Sequence, residues 1–399
     1  MVASERAAFN KKFTDETYQQ LLHYLNSKYN YEIEFRIAET PVFVDRQLKQ
    51  KMLQACEEIL SVIKRPDFKE LTDKAIPNGC YVQNEDAHTQ FLAIDLAICK
   101  DENDGTLTPR LIEMQGFPSL FAFQEFISKA YEQFFEFSPS YKYLFSGLNS
   151  EQYLALLKKT ICGTYAPEEV ILMDIEPMKQ KTKIDFYCTE DYIGVKPVCI
   201  SALRKDGKKL YYELSNGNRQ YVKRIYNRVI FDELLQRKDL NLHFDMTEDL
   251  DVQWAGHPNW FFRISKYTMP FIKSEYVPQT HFLHELSQIP NDLENYVLKP
   301  LFSFAGTGVI YDVKASDIEA IADRHNYILQ KKIHYAPALI TPDGDGVKAE
   351  IRMLFLWPEA DKEPTLCTNL VRLSKGVMMG VKFNKNKTWV GGSTAFFEE

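Results

Sequence analysis

The chain lacks paired cysteine motifs, long apolar runs and an excess of positive charge, and each absence removes a class of protein. Its seven cysteines, at positions 56, 80, 99, 162, 188, 199 and 367, are odd in number, scattered and free of any Cys-x-x-Cys pair. Read against disulfide and zinc signatures, they are expected to be reduced intracellular thiols. No stretch reaches the roughly 18 apolar residues needed to span a bilayer, and the opening Met-Val-Ala-Ser-Glu-Arg lacks the apolar core of a secretory signal. A cytoplasmic protein with no membrane contact is the expectation. Lys and Arg number 48 against 55 Asp and Glu, for a net charge of −7, and there is no long basic run, so a general nucleic-acid footprint is absent. Internal repeats and low-complexity linkers are missing too. The phosphate loop spacing GxxxxGK[ST] does not occur.

What is present reads as a soluble α/β (α+β) enzyme. At 399 residues, with 45% apolar and 26% charged residues, the chain has length for two or three domains. The 27 Phe and 22 Tyr are spread through periodic segments, which suits core packing better than base stacking. Helical spacing recurs at Tyr18, Leu21, Leu22 and Leu25, and again at Leu48, Met52, Leu53, Cys56, Leu60 and Ile63. Strands are predicted at 91–99 and 110–115 across a polar turn at 100–105, followed by helices at 119–135 and near 150–160. Alternating strand and helix patterns follow, with strands at 170–173, 195–201 and 221–230 and helices after Pro177 and at 231–236. The last third predicts strands at 296–300, 308–312, 327–330, 350–357 and 368–374, and a helix at 315–325 that Ser316 would cap. His281 and His284, three apart in an expected helix, have no third ligand in view and read as surface or packing residues. Soft boundaries near 150 and 255 divide the chain into units 1–150, 151–255 and 256–399.

Residues 294–310 carry the strongest chemical signal. An apolar strand delivers Lys299, a small-residue loop with Gly306 and Gly308 follows, and a β-branched strand leaves. Glycine lets backbone approach a ligand, loop amides can form a nest for anionic oxygens, and the lysine adds a point charge. This is phosphate-handling chemistry; a tight hairpin beside a surface lysine is the plain alternative.

A second signal lies on the 91–115 hairpin. Glu113 and Gln115 share a face because strand side chains alternate, and an even register places Asp95 nearly opposite Glu113. Facing carboxylates need neutralisation. Magnesium, held by one or two carboxylates plus substrate phosphates, would supply it; so would an ion pair with a basic neighbour or a solvated acidic face.

Taken in order, these segments resemble the ATP-grasp superfamily, in particular the circularly permuted branch that includes glutathionylspermidine synthetase and its relatives. There the metal-bearing hairpin precedes the ATP-holding strands, with a pattern like Arg-Phe-Asp-Phe, a turn, then Leu-Leu-Glu-Tyr-Asn-Ala-Asp-x-Pro-x-Ser-Leu. Ala93-Ile94-Asp95-Leu96 and Leu111-Ile112-Glu113-Met114-Gln115-Gly116-Phe117-Pro118-Ser119-Leu120 look similar. Ile225-Tyr226-Asn227-Arg228-Val229 is similar to the family's Tyr-Arg-Arg strand segment, and Ser265-Lys266-Tyr267-Thr268-Met269-Pro270 to its Asn-Lys-x-x-Leu-Pro. The Tyr296–Gly308 stretch resembles the Val-x-Lys-Pro loop, Tyr327-Ile328-Leu329-Gln330 the Tyr-Ile-x-Gln strand, and Glu350-Ile351-Arg352 the late arginine strand.

The resemblance implies an ATP-grasp fold in permuted order with an inserted pre-ATP-grasp-like α/β unit, using ATP and Mg2+. It implies that Lys266 and Lys299 neutralise the α- and β-phosphates, that Ser303, Gly306 and Gly308 lie in the lid over the triphosphate, and that Gln330 and backbone near Lys331 and Lys332 meet the adenine edge. Asp95, Glu113 and Gln115 would hold magnesium. Arg352 would be the catalytic residue, stabilising charge on the transferred phosphoryl group. Arg224 and Arg228 are candidates for holding a substrate carboxylate. Two positions depart from the pattern: Gln115 stands for Asn, and Ala93 for an arginine that Arg263, Arg352 or Arg372 would have to replace. The implied reaction joins a small-molecule or peptide carboxylate to an amine through an acyl phosphate. A nucleotide-binding scaffold without ligation and a small-molecule kinase are the alternatives.

Overall fold

The computed structural model describes residues 1–302, 308–376, 379 and 383–399. Ser303 and Gly306 lie outside the described residues.

A central sheet orders the strands Gly391–Ser393, Thr365–Ser374, Gly346–Leu356, Phe91–Lys100 and Leu107–Gln115, with Pro337–Ile340 attached to Gly346–Leu356. Its neighbours all run antiparallel. Phe91–Lys100 is buried from Phe91 to Cys99, which explains its nearly unbroken apolar run: a strand covered on both faces has no reason to alternate. Asp95 interrupts that run and carries the polar chemistry.

Helices cover this sheet and join its apolar side in one large core. Arg46–Ile63 buries Leu48, Met52, Ala55, Cys56, Ile59 and Ile63, a stripe at helical spacing, and Asp45 caps it by accepting from the Leu48 amide at 2.8 Å. Phe121–Phe134 and Ser150–Cys162 add aromatic and aliphatic faces, the latter closed by a reciprocal capping box between Asn149 and Gln152.

Within the middle of the chain lies a four-stranded parallel sheet, ordered Gln253–Ala255, Arg224–Asn227, Val170–Asp174, Lys196–Cys199, with the helix Lys183–Ile193 between its last two strands in sequence. The alternating pattern of that region does form an α/β unit. The expected strand 221–230 is two strands: Arg219–Val222 pairs with Lys209–Glu213 in a separate three-stranded sheet, whereas Arg224–Asn227 enters the parallel one. The chain changes partners at Lys223, whose amide bonds to Glu169 and whose carbonyl accepts from Gln253.

A third body is a three-stranded antiparallel sheet, Thr280–Phe282, Tyr327–Lys331, Tyr296–Pro300, with two small apolar clusters of its own. The expected strand at 308–312 reduces to one bridge, Leu298 to Ile310. Helix Ala315–Glu319 stops well short of 325, and the position before it is Lys314, with Ser316 inside. His281 is on a strand rather than a helix, because Thr280–Phe282 finds hydrogen-bond partners in Ile328–Gln330; His284 packs on the His325 ring with centroids 4.0 Å apart. Val42–Val44, Ala395–Glu398 and Tyr141–Lys142 form a further small sheet. Among the described residues no helix is long and apolar enough to cross a membrane.

Candidate functional site

Register builds the site. Asp95 pairs with Glu113 on one side and with Arg352 on the other, and Glu350 pairs with Arg372 one strand further out. Since alternate residues share a face, Glu350 and Arg352 project together with Asp95, Glu113 and Arg372. The even register expected of the hairpin is the one observed. A bulge follows Asp95 on this ladder, so Ile112 is the extra residue opposite the Asp95–Leu96 step.

Asp95 is fully buried and saturated with guanidinium contacts. Arg352 donates from Nε to Oδ1 at 2.6 Å and from Nη2 to Oδ2 at 2.7 Å, and Arg372 Nη2 donates to Oδ2 at 3.0 Å. Burial pushes the carboxyl up, but the two arginines outweigh it and hold Asp95 below the ordinary aspartate range. Arg372 also bonds Glu350, whose other oxygen accepts from the Tyr335 hydroxyl at 2.9 Å. Desolvation raises the Glu350 carboxyl, with Asp95 and Glu113 adding to the rise against Arg372.

Glu113 is different. Its side chain is 30% exposed; it accepts from Gln115 Nε2 at 3.1 Å and has the two guanidiniums only at 3.9 and 4.0 Å. Two lysines from outside the central sheet feel it. Lys299, on Tyr296–Pro300, has its ammonium pushed down to about 8 by desolvation, opposed first by Glu113. Lys266, at the start of the short helix Lys266–Phe271, is lowered by desolvation and opposed by Glu113 and then Asp232.

The hairpin and the Lys266 segment meet at Gly116. Its amide bonds to Ile264 O at 3.1 Å, and a Cβ there would lie 2.5 Å from the Trp260 carbonyl oxygen. Only glycine permits that approach. Gly308 has φ +75°, the left-handed region where glycine is favoured, at the described edge of the loop that follows Lys299.

Asp95, Glu113, Gln115 and Arg352 therefore share one face of the central sheet, and Lys266 and Lys299 come from outside it, within reach of the Glu113 charge. Other expected positions behave differently. Gln330 is buried and its amide is spent: Oε1 accepts from Lys299 Nζ at 2.6 Å and Nε2 donates to Thr280 Oγ1 at 3.0 Å. It holds the Lys299 ammonium in place. The amides of Lys331 and Lys332 are likewise taken, by Gln279 O and Asn295 O. Arg224 is buried at the end of helix Ser150–Cys162, donating to Ile161 O at 2.8 Å and Thr160 O at 3.2 Å and pairing with Glu359 at 2.6 Å. Arg228 supports the turn after Gln115, donating to Pro118 O with its Cζ 5.5 Å from the Phe117 ring centroid and 5.6 Å from that of Phe186. Arg263 is held by Glu85 and Asp73, so of the three candidates for the missing arginine it is the one that takes no part.

Sequence reading gave Glu350 and Tyr335 no role. Glu350 had a signal, since it stands two before Arg352 on one strand; Tyr335 had none, being a loop residue that reaches the cluster through a single bridge to Cys99.

As for metal, among the described residues no three His, Cys, Asp or Glu side chains are grouped so as to hold an ion. The donor set fits magnesium in part: Glu113 and Gln115 are both partly exposed, and magnesium is commonly held by one or two carboxylates with phosphates and water. Asp95 does not fit, because three of its roughly four lone-pair directions are already taken by arginine.

Scanned against known families and curated proteins, the sequence matches none. Among solved structures, the fold is similar to that of a glutathione synthetase like-effector from Globodera pallida in its apo form, at TM-score 0.58 and 11% identity over 96% of each chain. The chain thus has a glutathione synthetase-like fold.

Proposed function

We propose that the protein is an ATP-dependent carboxylate–amine ligase of circularly permuted ATP-grasp type. The observation that carries this reading is the register that sets Glu113, Asp95, Arg352 and Arg372 on one face of the central sheet, with Lys299, held by Gln330, and Lys266 delivered from segments far apart in sequence and near enough for the Glu113 charge to act on both. Such an arrangement suits one polyphosphate between two ammonium groups and a carboxylate-held cation.

In this mechanism Lys299, aimed by Gln330, and Lys266 neutralise the phosphates as compact charges. Glu113 and Gln115 would hold magnesium, which supplies further neutralisation when bound. Arg352, locked by Asp95, offers a preorganised guanidinium dipole to the phosphoryl group as it passes to the substrate carboxylate, without reorganising during the reaction. The amine then displaces phosphate from the acyl phosphate. The protein contributes positioning and charge, with no covalent intermediate on its own side chains.

Isothermal titration with ATP and magnesium, beside a phosphate-release assay over amino-acid, peptide and polyamine acceptors, tests the reading. Micromolar or tighter ATP binding with acceptor-dependent phosphate release and a mass corresponding to an amide is expected. A stable phosphate ester would make the protein a kinase.

One observation favours a second reading, a nucleotide-binding scaffold without ligation: Ala93 is buried where the family pattern carries an arginine. Tight ATP binding without phosphate release on any acceptor would decide for it.

A further inference from the structure

Two carboxylates and two guanidiniums, Asp95, Glu350, Arg352 and Arg372, form a closed set whose charges cancel, and its members are joined by hydrogen bonds throughout. Glu113 stands outside that set. We propose that Asp95 is a positioning residue for the two arginines and not a metal ligand, and that the divalent cation of the site rests on Glu113 with Gln115.

Three arguments support this. A carboxylate has about four lone-pair directions, and Asp95 uses three of them on charged donors at 2.6, 2.7 and 3.0 Å. A cation bound there would stand against two guanidiniums that the fold cannot withdraw, because Arg352 is itself buried and Arg372 is tied to buried Glu350. Releasing the arginines would also strand uncompensated charge in the interior, the costly case for a buried pair. Glu113, in contrast, is 30% exposed, has the two guanidiniums only at 3.9 and 4.0 Å, and acts through its charge on Lys266 and Lys299. The assignment of the cation rests on the nucleotide-binding reading; the role of Asp95 does not.

In EDTA-treated protein, anchoring of the arginines and repulsion between facing carboxylates act in opposite directions: were repulsion from Glu113 the dominant effect on Asp95, Asp95→Asn would melt higher. As an arginine anchor, Asp95→Asn should melt several degrees lower, while Glu113→Gln melts within about two degrees of the parent or above it. Should Asp95→Asn fail to fold, Arg352→Lys is the substitute: it keeps the charge but loses the fork, and must also lower the melting temperature. A rise or no change in these variants overturns the positioning role.

Mn2+ titration by electron paramagnetic resonance, with ADP present, reads the cation. One Mn2+ per chain is expected in the parent, retained within about threefold in Asp95→Asn and weakened at least about tenfold in Glu113→Gln. Two ions per chain, or loss in Asp95→Asn with retention in Glu113→Gln, overturns the assignment. If the parent takes up neither Mn2+ nor ADP, the nucleotide reading and the cation assignment fall together, and the melting data still decide the role of Asp95.

Discussion

Arg352 and Asp95 face each other across adjacent antiparallel strands, joined by a bidentate pair of hydrogen bonds at 2.6 and 2.7 Å. Arg372 reaches the same carboxylate from the far side of the Arg352 strand, and its side chain is 41% exposed. It is thus the accessible member of the network, yet it alone among the arginines bonds Glu350. Arg372→Gln should destabilise the protein by about 1–3 kcal/mol, below the 3–5 of a fully buried pair because solvent screens part of the loss. Urea denaturation of parent and variant measures this, and equal midpoints and slopes would refute it.

Asp95 makes the stability of the protein depend on acid in a defined window. Its folded carboxyl lies below the unfolded value, because Arg352 and Arg372 overcome the effect of burial. The stabilisation is therefore complete above the unfolded pKa of about 3.9 and is lost as pH falls through the lower folded value. The stability gap between parent and Asp95→Asn should be flat from about pH 8 to 5 and shrink below about pH 4. Denaturation midpoints across that range check it; a gap that narrows already at neutral pH would contradict it.

Lys299 has the opposite linkage. Its folded pKa is lowered to about 8, so the folded state binds its proton less well than the unfolded chain does. Stability from this group is lowest below about pH 8 and rises as pH climbs toward about 10.4, by an order of 1–3 kcal/mol after allowance for partial exposure. Lys299→Met should consequently match or exceed the parent in stability at pH 7 while losing ATP affinity at least about tenfold. A polyphosphate would also pull a proton onto Lys299. Titrations at pH 8.5 in buffers of different ionisation enthalpy should show proton uptake, absent in the variant.

Much of this cluster is legible in the sequence, and the unreadable part has a physical cause. Alternation along two strands suffices to set Glu113 and Gln115 on one face and Asp95 opposite, and the apolar strand before Lys299 announces its placement. The partner of Asp95 is not readable, because Arg352 lies 257 positions away and strand neighbours across a sheet follow from tertiary order. Residues 221–230 have an unbroken β pattern but divide between two sheets, since the pattern reports half-burial and not which edge is free. His281 and His284 have helical spacing, yet the edge of Tyr327–Lys331 captures the first of them. Arg224 looks in sequence like a carboxylate clamp; helix carbonyls claim it first.

Gln330 lies between the lysine and the fold. Its Oε1 accepts from Lys299 at 2.6 Å while its amide nitrogen is 3.0 Å from Thr280 Oγ1. Gln330→Leu should cost about 1–3 kcal/mol by leaving both partners unpaired. Gln330→Glu should behave differently: an anion beside the ammonium raises the Lys299 pKa and competes with phosphate, so the fold gains at neutral pH while ATP affinity drops. Thermal melts paired with ATP titration separate the two variants, and unchanged ATP affinity in both would remove Gln330 from the site.

Arg224 tests where the site ends. Its guanidinium satisfies the Thr160 and Ile161 carbonyls at the last turn of Ser150–Cys162, a position where a cation also complements the helix dipole, and it pairs with Glu359. Arg224→Leu leaves those carbonyls and that carboxylate without their donor, and should lower stability by about 2–4 kcal/mol. ATP affinity and the Michaelis constant for a ligated carboxylate should stay within about twofold of the parent, since this buried guanidinium is engaged by helix carbonyls and Glu359. A stable Arg224→Leu protein with a substrate-specific rise in Michaelis constant would return Arg224 to the substrate site.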